Sequence, residues 1–290
     1  MSTDMVVIPK DDARYPAALR HIYSPPLQLY VRGNVELLKT KHMLAVVGSR
    51  RASAYGQSAI KKLLTPAVRA GLPLVSGLAY GIDSMAHRLC LELNTPTIAI
   101  LGSGLDEASL YPAAHRQLAQ KILGGGGALV SEYPAGTKAQ LYYFPARNRI
   151  VSGLTAATLV VQAAERSGSL ITARLALEQG KDVFAVPGPI TDPLSAGTNQ
   201  LIQQGAAPAI APEDILEYFH LTTTPAAPRE YQLTGTQQRL LQMLTAQPQH
   251  IDAIVQQTNL PAPTVSAALI ELEMLDIAQN LGGMKYVKSA

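Results

Sequence analysis

The chain has 290 residues, a length that favours two domains over one. Hydrophobic residues make up 47% of it and charged residues only 16%, which excludes disorder over the whole chain, because so apolar a sequence can bury a sizeable core. The net charge of +3 is unevenly divided: residues 230–290 hold three basic and five acidic residues, and the rest hold 21 basic and 16 acidic. A polyanion is therefore expected to bind the larger part.

The chain has a single cysteine, Cys90, which excludes an intrachain disulfide and a four-cysteine zinc site. It lies among leucines in a predicted helix, a setting more typical of a core residue than of a nucleophile. Residues 1–10 do not have the layout of a signal peptide, and no apolar run approaches the about 18 residues that a membrane span needs. We therefore expect a cytoplasmic protein.

Residues 1–42 form an N-terminal extension, rich in Tyr and Pro, that the sequence assigns to no repeat. From residue 43 to residue 220, short β-branched runs alternate with helical segments. Strands are predicted at 43–48, 73–76, 97–102, 128–131, 157–162 and 182–186, and helices near 55–70, 82–93, 113–122, 170–179 and 198–204. This alternation predicts an α/β fold with a doubly wound parallel sheet, whose ligands bind at the carboxyl ends of the strands.

A predicted linker at 221–233 precedes a second, smaller domain at 234–290. Helices predicted at 234–246, 250–258 and 263–275, followed by a Gly-Gly turn and a short strand, indicate a winged helix. Its presumed recognition helix directs Val265, Leu269, Leu272 and Leu275 to the core and carries no Lys or Arg. Because a helix that reads DNA normally brings basic residues to the phosphates, we expect a protein-contact or accessory role.

Residues 48–56 (GSRRASAYG) follow the first predicted strand and open a helix. Backbone N–H groups at a helix N-terminus form an anion site, and Arg50 and Arg51 add donors suited to phosphate. The segment is neither GxGxxG nor a P-loop, which disfavours ATP hydrolysis. The alternative is an ordinary strand–helix turn with solvated arginines.

Residues 144–154 (FPARNRIVSGL) place Phe144 shortly before Arg147 and Arg149, with Tyr142 and Tyr143 just ahead. An aromatic ring with arginines is suited to stacking a base and neutralising its phosphates. The alternative is a helix start with a buried Phe.

Further Gly-rich or Ser-rich turns follow strands at 76–83, 101–104, 167–170 and 187–199, so several loops should converge on one edge of the sheet. Asp83 and His87 have helical spacing for a metal pair, but a helix-surface pair is favoured because no third ligand is evident. The sequence indicates no metal site, no cofactor and no catalytic constellation.

The motifs GSRRASAYG, SGLAYGID, FPARNRIVSGL, SGSLITA and VPG…GTN, in this order over about residues 10–210, resemble the DNA-processing protein A (DprA/Smf) family. The resemblance implies an extended Rossmann-like domain that binds single-stranded DNA, protects incoming DNA and loads the RecA recombinase onto it in natural transformation. It also implies a homodimer formed through that domain and no enzymatic activity. The implied DNA-binding residues are Gly48, Ser49, Arg50, Phe144, Arg147, Asn148, Arg149, Ser167, Gly168 and Ser169.

A rival hypothesis is a nucleotide-processing Rossmann enzyme, similar to those that cleave nucleoside monophosphates between base and ribose phosphate. Such enzymes are expected to carry a PGGxGT loop with a catalytic Glu. Here the nearest match is PGPI at 187–190, with GTN ten residues downstream, which disfavours the enzyme. A third possibility, a regulator that binds double-stranded DNA, depends on the acidic tail alone.

Overall fold

The computed structural model describes residues 5–222, 233–245, 247–275 and 277–288, and the chain divides into two compact units, Met1–Thr224 and Pro225–Ala290. Most of the predicted linker, residues 223–232, lies outside the described residues. Within the described ranges, no helix combines the length and the apolar character that a membrane crossing requires.

The N-terminal unit is built on a nine-stranded sheet with the order β1-β2-β6-β5-β4-β3-β7-β8-β9. Its strands are β1 (Val6–Pro9), β2 (Gln28–Gly33), β3 (Leu44–Val47), β4 (Leu74–Ser76), β5 (Thr97–Leu101), β6 (Ala128–Ser131), β7 (Ala157–Val160), β8 (Asp182–Ala185) and β9 (Ala207–Pro208). Strands β3 to β9 run parallel, whereas β1 and β2 join the β6 edge antiparallel. The six predicted strands and the α/β class are confirmed.

Within residues 5–222, eight α-helices connect or flank the strands. They are α1 (Ala17–Arg20), α2 (Ala54–Arg69), α3 (Ile82–Glu92), α4 (Arg116–Gly124), α5 (Tyr143–Leu154), α6 (Gly168–Glu178), α7 (Ala196–Gln203) and α8 (Pro212–Tyr218). Short 3-10 helices lie at Val35–Lys39 and Ala113–His115. The five helices predicted from the sequence are present.

Helices cover both faces of the sheet, which is why its central strands are apolar on both sides. On one face, α2 presents Ile60, Leu63, Leu64 and Ala67 at the spacing of a helical stripe, and these pack with α3 and α8 residues in one core. On the other face, Ile150 of α5 and Ala173 of α6 belong to a second core.

The described part of the N-terminal extension, residues 5–42, extends this sheet. Val6–Pro9 pairs with Gln28–Gly33, which in turn pairs with β6 in the register Tyr30–Ser131. The turn between the two strands is closed by the buried Tyr15, whose hydroxyl donates to the Pro26 carbonyl at 2.9 Å. The segment therefore adds two edge strands.

The strand order reverses at β3. Strands β4, β5 and β6 follow on one side of it, whereas β7, β8 and β9 follow on the other. The loops after β3 and β7 consequently leave adjacent strands in opposite directions and open a crevice between them, the position at which doubly wound sheets bind ligands.

The C-terminal unit is a winged helix, as predicted. It contains α9 (Gly235–Met243), β10 (Gln249–His250), α10 (Ile251–Thr258), α11 (Ala262–Met274), β11 (Ala278–Asn280) and β12 (Lys285–Lys288), with the sheet order β10-β12-β11. Its core includes Leu240, Ile254 and Leu269. The expectation that Leu275 belongs to this core is wrong: α11 ends at Met274, so Leu275 leaves the helical stripe and stays 36% exposed, whereas Ala268 is buried.

Candidate nucleic-acid interface

A cleft of about 470 Å³ lies at the point where the strand order reverses. Segments that follow β3, β4, β6 and β7 line it together. The lining residues are Val47, Gly48, Ser49, Arg50, Ala79, Asp83, Leu141, Phe144, Pro145, Arg147, Asn148, Ala164, Arg166, Ser167, Gly168, Ser169, Ile171 and Thr172. The structure therefore brings together nine of the ten residues expected at the DNA site, all except Arg149.

The loop after β3 is held against the end of β7. The Ser49 amide donates to the Gln162 carbonyl at 2.7 Å, and the Ser53 amide donates to Gln162 Oε1 at 3.0 Å. A Cβ on Gly48 would lie 2.6 Å from Ile82 Cγ1, so this close approach requires glycine. The anchored loop leaves the side chain of Arg50 exposed at the cleft.

Arg50 lies beside an aromatic pair. Its guanidinium carbon is 5.4 Å from the ring centroid of Phe144, and the ring of Tyr111 is 5.4 Å from the same ring. Among the described residues, no carboxylate lies within salt-bridge distance of Arg50. The cleft thus places the guanidinium of Arg50, unpaired within the described part of the chain, near a half-buried ring.

Arg147 lines the cleft but is largely buried, with 5% of its surface exposed. Its guanidinium donates to the Gly77 carbonyl at 2.7 Å and to the Ile100 carbonyl. A Cβ on Gly77 would lie 2.5 Å from two guanidinium nitrogens, so residue 77 must be glycine for the arginine to fit. Arg147 therefore fastens α5 to the ends of β4 and β5.

Asp83 is the carboxylate on the floor of the cleft. It accepts a hydrogen bond from the Gly77 amide at 3.0 Å. Burial raises the pKa of Asp83, and the charge of Arg147 opposes that rise. Burial in turn lowers the pKa of Arg147 to about 10, which leaves the guanidinium charged at neutral pH.

Arg149 points away from the cleft. Its guanidinium pairs with Glu132 at 2.5 Å and donates through Nε to the Ser24 carbonyl at 2.8 Å. Two residues along a helix differ by about 200° in direction, so Arg147 and Arg149 cannot both face the cleft. The side chain of Arg149 instead ties α5 to the N-terminal segment.

The start of α6 forms the opposite wall. Ser167 caps the helix by accepting from the Ser169 amide at 3.3 Å, and the two hydroxyl oxygens are 2.7 Å apart. Gly168 and Arg166 are exposed. Sequence reasoning missed Arg166, although it directly precedes the Ser167–Ser169 turn on the same loop.

The loop at 187–199 contributes none of the lining residues named above. Two hydrogen bonds join Gly188 to Asn199. The Gly188 amide donates to Asn199 Oδ1 at 3.2 Å, and Asn199 Nδ2 donates to the Gly188 carbonyl at 3.0 Å. The Tyr55 hydroxyl donates to the Pro187 carbonyl at 2.5 Å. These hydrogen bonds hold the conformation of the loop, so its Gly and Asn residues have a structural role.

The expectation that Asp83 and His87 form a helix-surface pair is wrong, because both are buried. His87 Nδ1 lies 2.9 Å from Thr97 Oγ1, and burial lowers the pKa of His87 to about 3. In the part of the chain that the structure describes, no three His, Cys, Asp or Glu side chains are grouped to hold a metal ion.

Two family models match the chain. The model for DNA recombination-mediator protein A matches residues 6–220, and the DprA winged helix domain matches residues 224–284. Protein Smf of Escherichia coli is 42% identical over 98% of this chain and 78% of its own length, and DNA processing protein DprA of Bacillus subtilis is 43% identical over 72% of this chain and 70% of its own.

Solved structures are also similar to this chain. DNA processing protein A from Streptococcus pneumoniae is similar with a TM-score of 0.70 and 40% identity over 76% of each chain. A structure of the Helicobacter pylori protein, described as showing a single-stranded DNA binding mode, is similar with a TM-score of 0.66 and 29% identity, over 74% of this chain and 95% of that one.

Proposed function

The chain belongs to the DNA recombination-mediator protein A family, and from this membership and the geometry of the cleft we propose that it binds single-stranded DNA, protects incoming strands and loads the RecA recombinase onto them in natural transformation. One observation carries the DNA-binding part of the proposal. The cleft juxtaposes Arg50, which has no carboxylate partner among the residues that the structure describes, with the ring of Phe144 and the capped start of α6.

Each of these groups suits one part of a nucleic-acid strand. Arg50 and Arg166 offer planar guanidinium donors for phosphate, and the α6 N-terminus offers backbone N–H groups beside the Ser167 and Ser169 hydroxyls. Three arginines line the cleft against the single carboxylate of Asp83, so its charge favours a polyanion.

The ring of Phe144 supplies the apolar surface on which a base stacks. Because every base has a π-face, such stacking carries little sequence preference, which fits a protein that accepts any incoming strand. Arg50 already lies over this ring at 5.4 Å, so one movement of its guanidinium towards a phosphate uncovers the ring for a base. In this proposal Arg147 and Asn148 hold α5 in place, and Arg149 supports it from outside the cleft.

We propose binding without chemistry. The lining contains hydroxyls but no His or Lys to activate them, and its one carboxylate, Asp83, is engaged by the Gly77 amide. Glu132, which follows β6, is outside the lining and is paired with Arg149. Incubation with a nucleoside monophosphate should therefore release neither base nor ribose phosphate.

RecA loading, a homodimer formed through the N-terminal unit and a cytoplasmic location are parts of the same proposal. Their support is the family membership and, for the location, a cysteine content that permits no intrachain disulfide. Sedimentation velocity of the full chain should give twice the monomer mass. A pull-down with RecA in the presence and absence of single-stranded DNA tests the partnership.

The central experiment is fluorescence anisotropy with a labelled oligonucleotide, single-stranded against double-stranded, at several salt concentrations. Arg50→Ala should weaken single-stranded binding and make the plot of log affinity against log salt shallower by about 0.7, the loss of about one phosphate contact. Arg50→Lys should recover the slope but not the full affinity, because an ammonium lacks the planar fork.

Arg51 provides the matched control. It is the adjacent residue, it is exposed, and it is outside the set that lines the cleft. Arg51→Ala should leave both affinity and slope close to those of the unmodified chain. Equal effects of the two substitutions would reject the cleft as the DNA site and indicate a diffuse basic surface.

A further inference from the structure

Helix α11 of the C-terminal unit has two apolar faces. The inner face is buried through Val265, Ala268, Leu269 and Leu272. The outer face carries Pro263, Ala267, Ile270 and Met274, all exposed, with Ile270 52% and Met274 81% accessible. We call these four residues the outer stripe. An exposed apolar stripe on a small domain marks a contact surface rather than a solvated one.

We propose that the outer stripe pairs with the outer stripe of a second copy of this chain, with the two α11 helices antiparallel about a two-fold axis. This surface belongs to the winged helix, so it is separate from the homodimer proposed for the N-terminal unit. It also requires no DNA.

The spacing of the stripe is the first argument. Its members are separated by four, three and four residues, the pattern with which two helices pack along one seam. The pattern reads the same in both directions, as a self-complementary two-fold contact requires. In the antiparallel register Ala267 faces Ile270 and Pro263 faces Met274, so a small side chain meets a large one at each position.

Charge is the second argument. The acidic residues of α11, Glu271 and Glu273, lie in its C-terminal half, and its first turn has none. In the antiparallel pair the two-fold axis brings the same side of both helices together, so Glu271 lies beside Thr264 of the second copy and Glu273 beside Ser266, where a carboxylate can accept from a hydroxyl. A parallel pair would instead bring Glu271 of one copy to the side on which Glu273 of the other lies, and like charges would repel.

The same charges disfavour DNA as the partner of this helix, because α11 carries no Lys or Arg to contact a phosphate.

The length of the contact between the two helices determines how strongly they pair. The stripe spans about 16 Å of helix, so it buries less than the about 1,200 Å² of a standard stable interface. The pairing is therefore weak between free chains and strong where other contacts already hold two chains together, because the effective concentration then reaches the millimolar range.

Cysteine cross-linking of the full chain tests the register. The native Cys90 is buried and does not interfere. In the antiparallel pair, residue 263 of one copy meets residue 274 of the other, whereas the two copies of residue 274 are displaced by about 16 Å along the helix axis. The double variant Pro263→Cys with Met274→Cys should form covalent dimers under mild oxidation at least about tenfold faster than either single variant, since a disulfide bridges Cα atoms no more than about 7 Å apart.

Gln257→Cys, exposed on α10, measures the rate of random collision. Adding Ala267→Glu to the double variant should reduce cross-linking to that rate, because it buries two like charges near the axis. Cross-linking of Met274→Cys alone at the rate of the double variant would overturn the antiparallel register. A double variant no faster than Gln257→Cys, or a Met274→Cys thiol protected from maleimide without forming dimers, would overturn pairing with a second copy.

Discussion

Arg147 is expected to hold the fold rather than to bind the ligand, and replacing it tests that distinction. Arg147→Met keeps the bulk of the stem and removes the guanidinium. It leaves the Gly77 and Ile100 carbonyls without their donor and removes the charge that opposes the rise in the pKa of Asp83. Leaving a buried acceptor without its donor costs about 1–3 kcal/mol, so the two carbonyls together account for about 2–6 kcal/mol. In a unit of this size, 1 kcal/mol shifts Tm by about 2–4 °C, so we expect a decrease of about 4–24 °C.

The pH dependence of this loss has a definite sign. Burial already raises the pKa of Asp83, and removing Arg147 removes the charge that opposes the rise. A carboxyl group whose pKa is raised by folding makes the folded protein less stable as the pH rises above the group's unfolded pKa of about 3.9. The difference in Tm between Arg147→Met and the unmodified chain should therefore widen as the pH rises above that value.

Arg166→Met is the matched control, because Arg166 lines the same cleft but is exposed. It should leave Tm unchanged and weaken single-stranded DNA binding. Circular dichroism melts and anisotropy on both variants decide the question. If Arg147→Met melts within about 2 °C of the unmodified chain while losing DNA affinity, the guanidinium is a direct DNA ligand and the reasoning is wrong.

Three further predictions concern other residues. Phe144→Ala should weaken single-stranded DNA binding by about 1–3 kcal/mol in anisotropy titrations, whereas Tyr23→Ala, which removes an exposed ring outside the cleft lining, should not; equal losses would contradict stacking on Phe144. A chain that ends at Thr224 should keep its DNA affinity to within about tenfold, or about 1.4 kcal/mol, because the cleft lies wholly in the N-terminal unit; a larger loss would assign DNA contacts to the winged helix. Because burial lowers the pKa of His87 to about 3, the unfolded chain takes up a proton below about pH 6.5 that the folded chain does not. Urea unfolding should therefore show the unmodified chain losing about 1.4 kcal/mol per pH unit in that range relative to His87→Gln, and parallel profiles would mean that His87 is solvated.

The sheet was predictable from the sequence because its central strands are buried on both faces. Leu44–Val47 is continuously apolar and Ala157–Val160 is apolar apart from Thr158, and such short runs between helical segments are typical of a parallel sheet that helices cover on both sides. The edge strand Val6–Pro9 is only partly buried, so its pattern carried no comparable signal. The antiparallel pairing of Gln28–Gly33 with β6 is a contact between residues far apart in the chain, which composition does not report.

The sequence predicts which loops form the cleft, but it predicts less well which side chains point into it. Loops that leave the carboxyl ends of parallel strands must meet, which placed residues near Gly48 and Ser167 together. The separation of Arg147 from Arg149 depends on where α5 begins, and the sequence left open whether the segment was helical from Tyr143. The burial of Arg147 depends on the absence of a Cβ at Gly77, seventy residues away, a long-range fit that no local pattern encodes.

Helix α5, which presents Phe144, is fastened at neighbouring positions on opposite sides. Arg147 binds it to the ends of β4 and β5, and Arg149 binds it to Glu132 and to the Ser24 carbonyl. The conformational entropy of positioning the ring is therefore lost when the chain folds, before any strand arrives. Binding of a strand therefore requires little further ordering of α5, and the entropic penalty of association falls mainly on the flexible nucleic acid.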